Sequence, residues 1–413
     1  MDGEQGGGGI PGPFTQVKPL MQSIVDAGDL SGAVTLIWRK GEIVQLDMVG
    51  DRSRELNLPM TRDTIFRIAS MTKPVTSTAI LMLMEEGKLS LTDPISKWLP
   101  EFKTMRVLKD ATGPIDETVP VEREITVEDL LTHRSGLAYG FTSFGPIAKE
   151  YEARLGSVMG HEMTPDEWLA ALATLPLLYQ PGDRFHYSHA TDVLGFLLAR
   201  ADGVTLGEAL KRRIFGPLGM SDTDFWIPPE KMSRAAQLYG IVPNEAGLKR
   251  YPLPKMAHQP VWEGGGGGLY STADDYLKFA RMLLNHGEVD GVRLLKAETV
   301  TLMRENRLTD AQRQIPFMGI PFWAGQGFGL GLSVITDPVA QSWMGAGSKG
   351  SFGWPGAFGT WWQADPEQDL IAIYLIQNYM ELTPESAAQL ATGQRMGARL
   401  ALPMFQKAVY GAL

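Results

Sequence analysis

Strand-forming stretches lie at the two ends of this 413-residue sequence and the long middle is helical, so a sheet must unite segments more than 270 residues apart. At the N-terminal end GAVTLIWR (32–39) and IVQLDMVG (43–50) flank the turn KGE and read as a β-hairpin rich in β-branched residues. At the C-terminal end GFGLGLSVI (327–335), GAFGTWWQAD (356–365) and DLIAIYLIQN (369–378) follow one another with short turns. That spacing favours antiparallel pairing over βαβ units. A last helix near 386–409 is expected to cover one face.

The middle carries clear helix punctuation. Thr164 with Glu167 forms a capping box, Pro165 takes the first helical position, and Pro176 stops the apolar run WLAALATL. TVEDLLTHRSG (126–136) reads as a helix ended by Gly136, and HATDVLGFLLARADG (189–203) as one with Gly203 beyond its end. STADDYLKFARMLLNHG (271–287) is amphipathic, with Tyr276, Phe279, Ala280 and Leu283 on one face. These signals predict an α/β architecture: an antiparallel sheet flanked by helices and interrupted by an inserted, mostly helical domain. The expected divisions are a flexible tail over 1–14, the first part of the α/β domain over 15–105, the helical domain over 106–225, and the second part of the α/β domain over 226–413.

Composition removes several function classes. Lysine and arginine total 38 against 47 acidic residues, and the net charge of -9 argues against nucleic acid as a partner. There is no cysteine, so disulfides, thiolate catalysis and cysteine metal clusters are excluded. The longest apolar runs, AILMLM (79–84) and LIAIYLI (370–376), are far too short to span a bilayer, so no membrane association is expected. The N-terminal MDGEQGGGGIPGPFTQ has neither a basic region nor an apolar run. A cytoplasmic location is therefore expected, or a periplasmic one if a leader has been removed.

Several motifs are decoys. GAGSKG (345–350) matches a dinucleotide fingerprint, but the aromatic, glycine-rich SFGWPGAF that follows cannot open a crossover helix. No serine has glycines two residues before and two after it, so the nucleophile elbow of α/β-hydrolases is missing. His186 and His189 are three apart, but no carboxylate motif completes a metal site, so a structural role, or one supporting neighbouring site residues, is expected and no metal or cofactor is called for. The run GGGGG (264–268) has no lysine for a phosphate loop and reads as flexible or close-packed backbone.

In IASMTKPVT (68–76), Ser70 and Lys73 form the chain's one S-x-x-K. With 19 serines and 16 lysines, composition alone predicts about 0.7 such matches, so context must decide. Pro74 lacks a donor and its ring clashes with the carbonyl of Ser70, so the helix cannot run far upstream and Ser70 sits at its N-terminus. Free amides there can stabilise an oxyanion, and the spacing puts the Lys73 amine beside the Ser70 hydroxyl. A lysine takes a serine proton only where burial or positive charge favours its neutral form. The alternative is a helix cap beside a solvated lysine.

Two further elements supply partners. Tyr187 in FHYSHATD precedes a helix of the insertion, where it can project into a cleft, and WPGAFG (354–359) enters a strand of the other domain. The order S-x-x-K, Tyr-Ser-x, aromatic-x-Gly resembles the serine β-lactamase and penicillin-binding-protein clan. Within it, FRIASMTKPVTS, LLTHRSGLAYG, YSHATDVLG and GGGGLYSTADDYLKF look most like the family VIII carboxylesterases, which share the class C β-lactamase fold. The resemblance covers roughly residues 15–410.

The resemblance implies that Ser70 attacks an ester carbonyl to form an acyl-enzyme, that Lys73 and Tyr187 share the proton transfers, and that the amides of Ser70 and Ala357 form the oxyanion hole. Which of Lys73 and Tyr187 is the base stays open. Where β-lactamases carry Lys-Thr/Ser-Gly this chain has Trp354, Pro355 and Gly356, and His189 stands where they carry asparagine. Both changes remove grips on a β-lactam and favour an esterase, although Lys349 offers a charge nearby. Trp354, Gly356, Tyr139 and His189 are the expected substrate-binding residues, and Phe141, Trp262 and Trp323 are candidates for the same apolar cleft or for the core. The implied activity is hydrolysis of small, short-acyl esters. The alternatives are a β-lactamase or D-amino-acid peptidase of the clan, or a non-catalytic penicillin-recognising or scaffold protein. Oligomeric state is not legible.

Overall fold

The computed structural model describes residues 12–157, 163–241, 245–252, 258–379 and 397–413. The expected hairpin joins β1 (Gly32–Arg39) to β2 (Glu42–Ser53) through Lys40 and Gly41, both with positive φ. That is the turn geometry whose twist matches its strands. With β3 (Leu58–Pro59), β4 (Gln326–Phe328), β5 (Ser333–Ile335), β6 (Phe352–Gly353), β7 (Trp361–Asp365) and β8 (Leu370–Leu375) they form one sheet ordered β4-β5-β6-β7-β8-β1-β2-β3. Every neighbouring pair is antiparallel. The chain ends meet where β1 pairs with β8, Val34 opposite Leu375 through Arg39 opposite Leu370.

Helices α1 (Val17–Asp26), α2 (Thr72–Glu85), α4 (Ala273–Leu284) and α5 (Gly397–Tyr410) flank this sheet, and α3 (Ala190–Asp202) packs against α2. Alternation along the strands assigns the two faces. Ala33, Ile37, Ala372 and Tyr374 join α1 and α5 in one apolar cluster, while Val34, Leu36, Ile371 and Ile373 face α2 and α4 in the other. Both faces are covered, which is why LIAIYLI reads as a continuous apolar run. The larger cluster continues into the helical middle through Leu169, Leu172, Leu194 and Leu197. Buried there on nearly all sides over its first three turns, α2 is, apart from Lys73, apolar or small all round rather than one-faced.

Local signals fare well in the middle. The capping box of Thr164 and Glu167 starts the helix Pro165–Ala173, Gly203 ends α3 in the left-handed conformation, and the Thr272 side chain caps α4. Three expectations need correction. The strand expected over 356–365 begins only at Trp361, because the chain turns at 356–359 first. The helix expected over 126–136 covers only Val127–Leu131, because His133 takes a left-handed φ of 51° and turns the chain toward the site. The single strand expected over 327–335 is two short strands, β4 and β5. A side chain at Gly329 would strike the Met303 carbonyl and one at Gly331 the Ser77 hydroxyl, so these glycines let the chain turn tightly against its neighbours. Of the tail expected over 1–14, residues 1–11 lie outside the described residues, and Phe14 is buried beside α1. Of the helix expected near 386–409, the part before 397 also lies outside them. No described helix is long and apolar enough to cross a membrane.

Candidate active site

The chain enters the site through the short strand Phe66–Arg67, then a 3₁₀ turn, Ala69–Met71, that leads into α2. Ala69 holds a left-handed φ of 45°, a strain of about 1–3 kcal/mol for a residue with a Cβ, immediately before Ser70. Pro74 is the third residue of α2, so the donor it lacks belongs to the turn whose amides have no helical acceptor. Ser70 is thus presented at the start of a buried helix, with Lys73 fully buried one turn on.

The hydroxyl of Ser70 lies 2.6 Å from the Tyr187 oxygen and 3.1 Å from the Lys73 amine. Lys73 Nζ also donates to the Tyr139 oxygen at 2.8 Å and to the Gly266 carbonyl at 2.6 Å, and it sits 4.7 Å from the centre of the Tyr187 ring. All three of its hydrogens therefore have acceptors. Burial pushes the Tyr139 phenol well above its ordinary range, with the Asp192 charge adding to the effect, so Tyr139 stays neutral.

Tyr187 stands on the loop before α3, boxed by aromatic rings. His133 packs 5.0 Å from it and Trp354 5.5 Å, and the Trp354 indole N–H donates to the Tyr187 oxygen at 3.1 Å. Burial, then the charges of Lys73 and His186, push the His133 imidazole well below its ordinary range, making it a neutral brace. The two amides expected to form the oxyanion hole, those of Ser70 and Ala357, donate to no protein acceptor among the described residues. Gly356 lies between Trp354 and Thr360, and a side chain on it would collide with the Ile68 carbonyl and the Thr360 hydroxyl. Gly356→Ala is accordingly expected to push the 354–360 turn away from Ser70, lowering kcat at least tenfold and stability by about 1–3 kcal/mol. Paired rate and thermal-melt measurements check this.

Ser70 opens on a cavity of about 680 Å³, mostly apolar, whose walls include Tyr139, Phe141, Trp168, His189, Trp262 and Ala357. Tyr139, His189, Phe141 and Trp262 thus reach the cavity. Trp354 and Gly356, expected to bind substrate, are not among its lining residues: Trp354 is buried behind Tyr187, where its indole meets the phenol. Trp323 does not line the cavity and belongs to the buried aromatic cluster of Phe185, Phe328 and Trp354 that packs behind Tyr187. Lys349 is exposed on the turn before β6 and does not line the cavity. His186 and His189 do not converge: His186 faces the Tyr179 ring and burial pushes it down to about 4, whereas Nδ1 of His189 meets Asp192 at 2.8 Å.

Sequence reasoning missed the polar support of this cluster. The GGGGG run is close-packed backbone, as one of its two readings had it, but it is also part of the site. Gly266 accepts from Lys73, Gly265 accepts from the Thr76 hydroxyl at 2.7 Å, and the Gly266 amide donates to Asp192 at 2.9 Å. Side chains at 265, 266 and 268 would press on Thr191, Asp192 and Phe225. Burial pushes the Asp192 carboxyl up, but the His189 hydrogen bond, the Lys73 charge and the Gly266 amide outweigh it and hold the group below the usual carboxylate range. The available signal was five glycines beside an aromatic-rich segment, which marks a close approach of backbone to something.

Comparisons with known proteins show what the chain is similar to. The family model described as Beta-lactamase matches residues 17–391. An uncharacterized protein of Mycobacterium tuberculosis (strain CDC 1551 / Oshkosh) is 50% identical over 397 residues, 95% of this chain and 97% of its own. Esterase EstB of Burkholderia gladioli is 32% identical over 373 residues, covering 85% of this chain and 87% of its own. The solved structure of EstCE1, titled a hydrolase with promiscuous acyltransferase activity, superimposes with a TM-score of 0.79 at 26% identity, covering 97% of this chain and 99% of that one.

Proposed function

The chain belongs to the β-lactamase family, a lineage of serine hydrolases and acyltransferases, and we propose that it is a carboxylesterase that cleaves small, short-acyl esters through an acyl-enzyme on Ser70. The observation that carries this reading is the contact of Ser70 with both Tyr187 and Lys73 at the wall of a mostly apolar cavity. Esterase EstB, by its name an esterase, supports the same direction.

Proton traffic follows from the hydrogen bonds. Gly266 O can only accept, so Lys73 keeps one N–H directed at it and has acceptors for the other two. Tyr187 has the shorter contact with Ser70 and receives the Trp354 indole hydrogen. In this reading Tyr187 acts as the phenolate, having given up the hydrogen it directs at Ser70, with the Lys73 ammonium beside its ring and the Trp354 N–H on its oxygen. It then takes the Ser70 proton as Oγ attacks the carbonyl carbon. The amides of Ser70 and Ala357 receive the oxyanion, and Tyr187 returns the proton to the departing alcohol. Water then attacks the acyl-enzyme along the same path in reverse, releasing the acid. Trp354 acts by positioning the phenol, and Trp354→Phe is expected to lower kcat about tenfold with little change in KM, read from steady-state kinetics.

A β-lactam is disfavoured because the residue in place of the Lys of Lys-Thr/Ser-Gly is the buried Trp354, and Lys349 lies outside the cavity. A silent binding protein would not need Ser70, Lys73 and Tyr187 in mutual contact. The proposed partner is a small ester rather than nucleic acid or a membrane. Purified protein is to be offered p-nitrophenyl butyrate and a chromogenic cephalosporin. Faster turnover of the ester supports the esterase; preference for the cephalosporin, or turnover of neither, overturns it.

A further inference from the structure

His189 sits two residues after Tyr187, on the wall of the cavity that Ser70 opens into, and is 5% exposed. Its ring is clamped edge-on between Tyr139, at 4.4 Å between centres, and Trp168, at 5.0 Å. The clamp fixes the direction of both nitrogens. Nδ1 meets Asp192 Oδ2 at 2.8 Å, and the other oxygen of Asp192 accepts the Gly266 amide. A carboxylate can only accept, and with one oxygen on the Gly266 amide and the other facing Nδ1, it is Nδ1 that carries the hydrogen. In the neutral ring the lone pair is then on Nε2.

Nε2 makes no hydrogen bond among the described residues, yet it is not sealed away as Nε2 of His133 and of His186 are. The space it reaches is the cavity. An oriented acceptor in an otherwise aromatic wall is the kind of group that selects a ligand donor, since an apolar ligand would displace water from it and leave it unpaired.

We propose that His189, oriented by Asp192, is a specificity residue whose Nε2 accepts a hydrogen bond from a hydroxyl on the acyl group, making short hydroxyacyl esters the preferred substrates. This rests on the carboxylesterase reading above and refines it. The acyl side is favoured by the shape of the cavity. Of the lining residues, His189, Tyr139 and Trp168 are buried, whereas Phe141 and Val261 are 36% and 53% exposed, so His189 lies on the deeper side of the cavity. The alcohol leaves while the acyl group is still bonded to Ser70, and it needs the open side to do so. The donor is placed at the 3-position of a butyryl chain, on the His189 side.

The experiment compares p-nitrophenyl 3-hydroxybutyrate with p-nitrophenyl butyrate, both chromogenic through the same alcohol, in the full chain and in His189→Phe. The expected result is a kcat/KM ratio of about tenfold in favour of the hydroxy ester, falling to about one in the variant whatever its absolute rate. A ratio near one in the unmodified protein, or a tenfold ratio surviving in His189→Phe, overturns the proposal. If His189→Phe does not fold, His189→Gln serves instead and is expected to keep part of the preference through its amide oxygen; a ratio undiminished there also overturns it. Cleavage of neither ester by the unmodified protein defeats the esterase reading, and this inference with it. Equal cleavage of both defeats this inference alone.

Discussion

Ser70→Ala is expected to lower the rate of p-nitrophenyl butyrate cleavage by about 10⁴-fold or more while leaving the melting temperature nearly unchanged. The size follows from what is deleted. Without Oγ there is no atom within reach of both Tyr187 and Lys73 that can carry an acyl group, and only the oxyanion amides and the apolar cavity remain to act on the ester. Those residual effects leave some acceleration over water but no covalent intermediate. The fold should tolerate the change. Ser70 is not fully buried, Lys73 keeps Tyr139 and Gly266 as acceptors, and Tyr187 keeps the Trp354 donor. Intact-mass analysis after brief exposure to the ester adds a second readout: an acyl increment in the unmodified protein and none in the variant. A variant as active as the parent would remove Ser70 from the chemistry and leave its contacts with Tyr187 and Lys73 as a buried polar cluster.

What could be read in the residues was whatever depends on near neighbours in the chain. The hairpin at Lys40 and Gly41, the capping box at Thr164, the stop at Gly203 and the proline that confines the start of α2 are each decided within about four residues, and each is where pattern and sterics put it. The site depends on contacts of another range. Ser70 meets Tyr187 across 117 positions and Lys73 meets Gly266 across 193. Ser70 and Lys73 were found by their spacing and Tyr187 through the family resemblance, while Asp192, a side chain among many acidic ones, was missed. The backbone partner was not found either, because a carbonyl in a glycine run carries no mark of its role. Trp354 shows the same limit from the other side. Its residue type suggested a pocket wall, but the direction of its indole is set by the packing of Phe322, Phe328 and Tyr187 around it, which local pattern does not encode. The glycines between β4 and β5 misled for a related reason, since apolar alternation there continued through a turn that only close tertiary approach required.

Tyr187→Phe is the substitution that separates the two candidate bases, and it is expected to lower kcat by about 10²–10⁴-fold. The comparison with Lys73 decides why this variant is the cleaner one. Removing the Lys73 amine, as in Lys73→Met, leaves the Gly266 carbonyl without its donor and takes a positive charge away from the buried, ionised Asp192. An unpaired buried polar group alone costs about 1–3 kcal/mol, so lost activity there is confounded by lost stability. Tyr187→Phe deletes a single oxygen. The ring stays packed between His133, Trp354 and Phe185, and the one buried group that loses a partner is the Trp354 indole N–H. The cost should be at the low end of that range, a shift of a few degrees at most in the melting temperature of a chain this long. Activity lost with the fold retained therefore assigns the proton to the phenol. If the variant keeps full turnover, the short Ser70–Tyr187 contact is structural, and the base must be Lys73, which would have to release its hydrogen bond to Ser70 before it could accept the proton.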